Sequence, residues 1–416
     1  MSATDWTELL APAWGKQPAL LKAAAPTDPE HLHRTVVAAC APFRAGTVFR
    51  TFPQVRLHTA LGWLGAPGRL LPDAEDPTPA AYRTRLRRGP AGSGPDTGFL
   101  LSVRQPLHTD YALWTSVRDS LERLWQRVGL PCLPVEAELT EGDDHTRLRG
   151  LAAPSDHAVL TWVLGGTLEA ELREADGSFR VLRATAGELL HWPEGSRWRE
   201  RHLDGCLTLR ISVPRAPHLA AGAVKILLAE EVRDRLEYDG TVPCLPYPPP
   251  DGGPADPMLA IGEAARAAAG GPELPAALRT RWAAWRSSAG LEPAPEPRED
   301  VALVPGQRLR VVREVLRQPD GPGRRIWAVN GHAFPIGGAA GELVAQELAV
   351  GRELTLAELC RAVGADERNA AVTALLRKLY RLRAIELTES AESSKSSESS
   401  ESSGSAERAE DGGVDG

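Results

Sequence analysis

The sequence contains no run of 18 consecutive apolar residues, and only five of its 416 residues are cysteine. The first absence argues against a membrane-spanning helix, which needs about 20 mostly apolar residues. The cysteines are scattered, odd in number and without a Cys-x-x-Cys pair, so they predict neither a disulfide framework nor a zinc knuckle. The amino-terminal segment has no basic region followed by an apolar one. We therefore expect no secretory signal and a reducing, cytoplasmic setting.

Most of the chain also lacks a large net charge of either sign. The formal net charge is −7, but residues 390–416 hold seven acidic and two basic residues and so account for −5 of it. The remainder is nearly balanced, so no general positive field indicates a nucleic-acid partner. Hydrophobic residues make up 42% and charged residues 25%, as in ordinary globular proteins, and the length suffices for two or three domains.

Motifs for nucleotide and acyl chemistry are missing as well. The sequence has no Gly-x-Ser-x-Gly, no P-loop and no Gly-x-Gly-x-x-Gly after a predicted strand. Gly165-Gly166 lies between two alternating segments and predicts a hairpin turn rather than a phosphate-binding loop.

Hydrophobic periodicity divides the first three hundred residues. Residues 110–128 carry apolar side chains at helical spacing and predict an amphipathic helix. Residues 66–98 are rich in Pro, Gly, Asp and Arg and predict a long exposed connection. Between 132 and 213 the period changes to two, and many short strands indicate a β-sandwich or barrel. Residues 216–237 and 256–289 are predicted to be helical, on either side of a proline-rich linker.

Residues 301–388 predict a separate unit. Two or three strands, helices at 342–349, 355–363 and 366–382, and a last strand follow one another in the order of a winged helix. The third helix has basic residues, but they cluster at its carboxyl end, where they complement the helix dipole, so DNA is not the expected partner. The unit also resembles the leader-peptide recognition modules of ribosomal peptide pathways, which add the leader as an extra strand. Residues 389–416 have almost no apolar side chains and are expected to be disordered.

Four segments resemble the bacterial cupin-type JmjC proteins, the family that includes ribosomal-protein hydroxylases. They are ELLAPAWGKQPALLK, AVLTWVLGGTLEAEL, AGELLHWPEG and CLTLRISVP, in the order of the family. The resemblance implies an α+β fold built around a cupin/JmjC double-stranded β-helix barrel. Its parts are a helical and mixed region at 1–131, the barrel at 132–215, a helical connector at 216–300 that dimerises in the family, the winged helix at 301–388 and the tail at 389–416.

The family holds Fe(II) with a His-x-Asp/Glu motif and a distal His, which leaves coordination positions open for 2-oxoglutarate and O2. Counted back from Gly165-Gly166, the first two ligands fall on Ala153 and Ser155. Counted on from Gly187, the third falls on Trp198. None of the three side chains offers an imidazole or a carboxylate. The resemblance therefore implies a degenerate metal triad, a pseudoenzyme and no bound cofactor.

A shifted metal site is the alternative. Asp156 and His157 follow the expected positions closely, and with His191 or His202 they could hold Fe(II) beside 2-oxoglutarate. The other interpretation makes them turn, strand-edge and interior residues.

Two further polar strings are weaker candidates. Residues 108–110, His-Thr-Asp, have the spacing of the metal motif but precede the amphipathic helix, so Asp110 is better interpreted as its N-cap. Residues 143–145, Asp-Asp-His, are expected in a solvated turn.

The candidate binding residues are Trp162, Trp192, Trp198 and Arg210. Tryptophan is common at binding hot spots, and Trp198 at a former metal position would fill the vacated space; the other interpretation is barrel core. Arg210, like Arg173 and Arg183, could hold a carboxylate or pair across strands with a glutamate. The sequence favours a non-catalytic scaffold for a protein or peptide, for example a leader peptide, with a homodimer as an open expectation. A hydroxylase with shifted ligands and a winged-helix DNA-binding regulator are the alternatives.

Overall fold

The computed structural model describes residues 5–46, 52–59, 62–88, 98–147, 153–173, 177–236, 256–337, 339–366 and 369–388. The chain forms two compact units, one of Met1–Glu296 with Leu316–Pro335 and one of Pro297–Val315 with Ile336–Gly416. Within the described ranges no helix is long and apolar enough to cross a membrane. The predicted tail at 389–416 and most of the proline-rich linker lie outside the described residues.

The described chain alternates short helices with antiparallel strands. In chain order the elements are α1 (Trp6–Leu10), β1 (Ala19–Lys22), α2 (Pro29–Arg44), β2 (Gln54–Thr59), β3 (Gly62–Leu64), α3 (Pro79–Arg87), β4 (Phe99–Arg104), α4 (Tyr111–Val128), β5 (Glu136–Asp143), β6 (His145–Arg147), β7 (His157–Arg173), β8 (Phe179–Thr185), β9 (Glu188–Trp192), β10 (Arg197–Pro214), α5 (Pro217–Leu236), α6 (Asp256–Gly270), α7 (Glu273–Ser287), β11 (Arg308–Val311), β12 (Leu316–Pro319), β13 (Arg324–Val329), β14 (His332–Gly337), α8 (Ala339–Glu347), β15 (Glu353–Thr355), α9 (Leu356–Ala362), α10 (Ala370–Arg381) and β16 (Ile385–Thr388).

A ten-stranded antiparallel sheet forms the centre of the first unit. Its order is β1-β9-β7-β10-β5-β4-β2-β3, with β6 added to β10 and β8 added to β7. This sheet confirms the predicted change to a period of two and the mixed α+β class. Two of the predicted strands form one, because Gly165 and Gly166 lie inside β7. The expected hairpin turn there was wrong: Gly166 has φ +63°, and the ladder between β7 and β10 is irregular at this point.

At the second half of β10 the sheet has an apolar face and an opposite face that combines polar side chains with a smaller apolar cluster around Trp192. On β10, Leu207, Leu209 and Ile211 enter a large core with the helices, which we call the helix face. The alternate residues Thr208 and Arg210 point to the other side, which we call the pocket face. Because successive strand residues alternate in direction, one sequence pattern produces both surfaces.

Helix α4 supports the helix face. Asp110 caps it by accepting a hydrogen bond from the Leu113 amide at 3.0 Å, as the sequence predicted. Gly129 follows with φ +93°, a conformation that favours glycine, and its amide donates to the Trp125 carbonyl at 2.9 Å. Trp114 on this helix is fully buried. The amphipathic helix is therefore confirmed.

Residues 89–97 of the predicted exposed connection at 66–98 lie outside the described part, and the prediction was only partly right for the rest of this segment. It contains α3, and Leu71 and Tyr82 are fully buried. Arg85 donates from Nε and Nη2 to the buried Asp76 carboxylate at 2.9 and 2.7 Å, and the Tyr82 hydroxyl donates to the Leu70 carbonyl at 2.8 Å. These paired polar groups hold a proline- and arginine-rich segment against the core.

The second unit combines three helices with a small antiparallel sheet of order β15-β11-β16. Helix α10 lies within the third helix predicted at 366–382 and buries Val372, Leu376 and Leu379 on one side. The division differs from the predicted single unit at 301–388, because strands β12 and β13 belong to the first unit. There Ile326 and Ala328 of β13 pack with Ala283 of α7.

Candidate functional site

The pocket face contains a cavity of about 610 Å3. Strands β2, β4, β5, β6, β7 and β10 all contribute side chains to it. Those with polar or aromatic groups include Arg56, His58, Ser102, Arg104, Glu136, Glu138, His145, Arg147, Ser155, His157, Trp198, Arg210 and Ser212.

Strand register places opposite charges beside one another in this cavity. Arg104 of β4 is the cross-strand partner of Glu138 of β5, and Glu138 is in turn the partner of Arg210 of β10. Directly opposed residues in an antiparallel pair lie within side-chain reach. The three residues therefore form a row of alternating charge across three strands.

Glu138 is held by charged groups and a hydroxyl. Arg147 donates from Nη1 to Oε2 at 3.0 Å and from Nη2 to Oε1 at 3.1 Å, and the Ser102 hydroxyl donates to Oε1 at 2.6 Å. Arg210 Nη1 lies 3.7 Å from Oε2. Burial alone would raise the pKa of Glu138, but the guanidinium groups of Arg147 and Arg210 hold the pKa well below its usual range. The carboxylate stays ionised.

A second buried ion pair lies beside the first. Arg210 donates from Nη2 to Glu200 and from Nε to the Thr161 hydroxyl at 3.1 Å. Glu200 is fully buried. Burial opposes ionisation, yet Arg210 is the main cause that lowers the pKa of Glu200 to about 2. The two pairs are joined through Arg210, so the charges of the cavity wall largely compensate one another.

Trp198 provides the aromatic part of the wall. Its ring centroid lies 5.5 Å from Arg210 Cζ and 6.0 Å from Arg147 Cζ, within cation–π range of both. The ring also lies 5.5 Å from that of Trp192, which is buried behind it. The indole is thus fixed by two guanidinium groups and a second indole.

Imidazoles line another part of the cavity. The rings of His58 and His145 are 6.3 Å apart. Burial, followed by the nearby His202 and His58, lowers the pKa of His145 to about 4. Burial also lowers the pKa of His157. At neutral pH His145 and His157 are therefore uncharged groups that can donate or accept a hydrogen bond.

The structure brings three of the four candidate binding residues together. Trp192, Trp198 and Arg210 meet on the pocket face, with Arg210 Cζ 5.4 Å from the Trp192 ring centroid. Trp162 points to the helix face instead, where it packs edge-on against Trp6 at 5.4 Å. Its direction follows from strand parity, since the neighbouring Thr161 faces Arg210.

The positions of the expected iron ligands carry no metal donors. Ser155 and Trp198 line the cavity, and Ala153 is exposed outside it. Within the described part of the chain, no three His, Cys, Asp or Glu residues are grouped so that they could hold a metal ion. Arg210 is engaged by Glu200 rather than left for a 2-oxoglutarate carboxylate. The residues present do not fit Fe(II) with 2-oxoglutarate.

The shifted ligand set is not assembled either. Asp156 lies 3.4 Å from His218, away from the cavity lining, and His157 lies 4.0 Å from Glu136. His191 is on the helix face, where its ring stacks on Trp14 at 5.0 Å and its Nδ1 bonds the Val159 carbonyl at 2.9 Å.

His202 is the remaining member of that set and is fully buried on the pocket face. Its Nε2 lies 3.8 Å from Glu200 Oε2. Burial lowers its pKa, so the ring is neutral at physiological pH.

Sequence reasoning missed Glu138, Glu200 and Arg147, the residues that hold the cavity together. Glu200 lies between two arginines of β10 and Arg147 ends the short polar strand β6, but a signal was present for Glu138, which alternates with the apolar Ala137 and Leu139 in β5. Such alternation usually marks a solvated face. The buried ion pairs show that here the polar face lines a cavity.

Comparison with known proteins gives a limited likeness. No family model matches the chain, and no curated protein matches it. Among solved structures, the Escherichia coli ribosomal oxygenase YcfD in complex with cobalt and succinic acid is 15% identical, with 94% of this chain and 99% of that chain covered and a TM-score of 0.49. The complex of YcfD with cobalt and 2-oxoglutarate is 16% identical over the same shares, with a TM-score of 0.48. The EutQ protein of Clostridium difficile is 22% identical over 20% of this chain and 57% of that chain, with a TM-score of 0.16. Because each TM-score is below 0.5, we base no conclusion on these likenesses.

Proposed function

We propose that the chain is a non-catalytic binding protein of the cupin/JmjC type, whose cavity of about 610 Å3 receives part of a protein or peptide. One observation carries the proposal. The three positions that the resemblance assigns to iron ligands hold Ala153, Ser155 and Trp198, and the Trp198 indole lies there against two guanidinium groups. An indole in this place occupies the volume that an ion and its cosubstrate would need.

The chemistry of the wall supports a binding role. Arg147 and Arg210 are already paired with glutamates, so they orient Trp198 and contribute little net charge. Neutral imidazoles and hydroxyls supply hydrogen bonds beside this aromatic surface. A concave site with an aromatic anchor and a few fixed polar groups suits a peptide side chain or terminus.

Several finer assignments belong to the same proposal. The second unit is a winged helix, and the protein acts in a cytoplasmic setting as an accessory to the modification of a ribosomal peptide. Dimerisation through the helical connector is supported by exposed apolar side chains on α5 and α6, such as Ile226 and Leu259.

Neither alternative gains a specific observation. A hydroxylase with shifted ligands needs Asp156, His157 and a further histidine to converge, whereas Asp156 pairs with His218. A DNA-binding surface on α10 needs free cations, whereas Arg377 is held by both oxygens of Asp300 within the second unit.

The test of the proposal is metal binding. We expect the full chain, titrated without oxygen with Fe(II), Mn(II) or Co(II), to bind none of them in the cavity more tightly than millimolar. The matched control changes the two assigned positions that line the cavity, Ser155→Asp and Trp198→His, and this double variant should gain weak divalent-metal binding if the alignment with the family is right. Stoichiometric metal in the natural chain that disappears in Asp156→Ala or His157→Ala would refute the non-catalytic assignment.

A further inference from the structure

The solvent side of strands β7, β8 and β10 presents a surface that the cavity does not use, which we call the outer face. We propose that β8, at the edge of this face, is a docking edge that an extended segment of a partner protein joins as an additional antiparallel strand. The segment has an acidic residue, then apolar residues two and four positions later. This site is separate from the cavity, so it does not depend on the function proposed above.

Strand β8 has a free edge. In the described part of the chain it pairs only with β7, through a regular register that runs from Thr167 with Thr185 to Arg173 with Phe179. In such a pair alternate residues direct their backbone N–H and C=O groups away from the partner strand. The seven residues of β8 include neither proline nor glycine. The Thr185 amide already donates to Glu188 at 2.8 Å, so the outward amides that can donate to an added strand are those of Arg183, Val181 and Phe179.

Two apolar side chains stand on this edge where solvent would reach them. Phe179 is 50% exposed and Val181 is 59% exposed, and as residues two apart they share the outer face. Their neighbour Leu182 points the other way, into the core beneath the sheet. Natural proteins normally protect an edge strand with charges or proline, so a pair of exposed apolar residues on a straight edge is a feature of strands that accept a partner.

The charges of the outer face indicate which charge the partner segment should carry. Arg183 lies 3.6 Å from Glu169, and Arg201 lies 3.4 Å from the same carboxylate. Glu171 is occupied separately by Arg199, which donates from Nε at 2.7 Å. Two guanidinium groups therefore share one carboxylate, and the surplus positive charge lies beside Arg183. An acidic side chain opposite Arg183 would complete the row.

The strand register determines which positions of the partner segment lie opposite these residues. An incoming antiparallel strand places alternate residues opposite Arg183, Val181 and Phe179, in that order along its own chain direction. The first position calls for Asp or Glu, and the second and third call for β-branched or aromatic residues, which pair well with valine and phenylalanine across strands. The pattern is acidic-x-apolar-x-apolar. The intervening residues face the opposite side of the sheet.

The experiment measures fluorescence anisotropy of three labelled seven-residue peptides with the full chain. The first is Thr-Glu-Thr-Val-Thr-Ile-Thr, and the second has Lys in place of Glu. The third has N-methylvaline in place of Val, which removes the backbone donor opposite Val181 and keeps the side chain. We expect the first peptide to bind at least tenfold more tightly than either of the others. In Arg183→Glu the preference should reverse, so that the Lys peptide binds more tightly than the Glu peptide.

Control variants separate docking from loss of structure. Val181→Lys should weaken the first peptide at least tenfold while circular dichroism stays unchanged, and Trp198→Ala, in the cavity, should leave its affinity within twofold. No binding of the first peptide, equal binding of the Glu and Lys peptides, or a preference that survives Arg183→Glu would overturn the proposal. So would a dimer that Val181→Lys abolishes in sedimentation, because a second copy would then occupy the edge. A labelled oligouridylate that binds the same edge more tightly than the peptide would also overturn it.

Discussion

Replacing Glu200 by glutamine removes one charge from the buried network and keeps its shape. Glutamine resembles the protonated side chain, so the variant measures what ionisation contributes to stability. The folded-state pKa of Glu200 is lowered from 4.5 to about 2, because Arg210 holds the carboxylate. A shift of this size corresponds to about 3 kcal/mol of stability at pH 7. We expect Glu200→Gln to lower the free energy of unfolding by about that amount.

The sign of the pH dependence follows from the direction of the shift. A lowered pKa means that the unfolded chain binds the proton first as pH falls, so the contribution is complete well above pH 4.5 and is lost towards pH 2. At pH 3 the difference between the natural chain and Glu200→Gln should have fallen to less than half of its value at pH 7. Urea unfolding at pH 7, 5 and 3 measures this difference directly.

A matched control is available on the outer face. Glu171 also pairs with an arginine of β10, but Arg199 is 42% exposed, so solvent screens the pair. Glu171→Gln should cost less than about 1 kcal/mol at every pH. If Glu200→Gln costs no more than this control, or if its cost does not change with pH, the network does not hold Glu200 as a buried carboxylate and our account of the cavity wall is wrong.

Three other predictions concern Trp162, Trp198 and the acidic tail. Trp162→Ala should leave a hole in the core on the helix face and cost about 3–5 kcal/mol in denaturant melts, without any direct effect on a cavity ligand. Trp198→Ala should weaken binding of the ligand in the cavity tenfold or more, about 1.4 kcal/mol. Its loss of stability should be smaller than that of Trp162→Ala, and the reverse order of the two losses would count against the aromatic wall. Deleting residues 390–416 should leave the melting temperature within error, since the segment has almost no apolar side chains; a drop of several degrees would show that it packs on the folded part.

Hydrophobic periodicity predicted the amphipathic helix correctly but did not predict the buried residues of the segment at 66–98. The predicted amphipathic helix is present as α4 because its apolar stripe and caps agree. The connection at 66–98 misled, because proline and arginine are typical of loops, whereas here Arg85 serves a buried carboxylate on Asp76. Such a pairing between residues nine apart leaves no mark on hydrophobic patterning.

Part of the candidate site could be predicted from the sequence. Arg210 and Trp198 could be proposed from residue type, and the structure places them together. Trp162 could not be separated from them by composition, since only the parity of its position on β7 sends it to the helix face. Glu138 was missed because a glutamate in an alternating strand usually faces water, and Glu200 was missed because it lies in a run of charged residues, between Arg199 and Arg201. What distinguishes them is the register, which sets Arg210 opposite Glu138 and Arg147 opposite Glu200, and register is a property of the assembled sheet.

The alternation of side chains along strand β10 limits where residues can be inserted or deleted in this protein. Between Leu207 and Ser212 its odd-numbered residues fill the helix-face core, and Thr208, Arg210 and Ser212 point to the pocket face. Inserting or deleting one residue in this stretch would send Arg210 into an apolar core and present leucine and isoleucine to the cavity, because the side-chain period is two. Changes of chain length are therefore tolerated here in pairs, or at the irregular stretch near Gly205, where the ladder with β7 is already interrupted. The spacing of this strand is constrained as strictly as the identity of its residues.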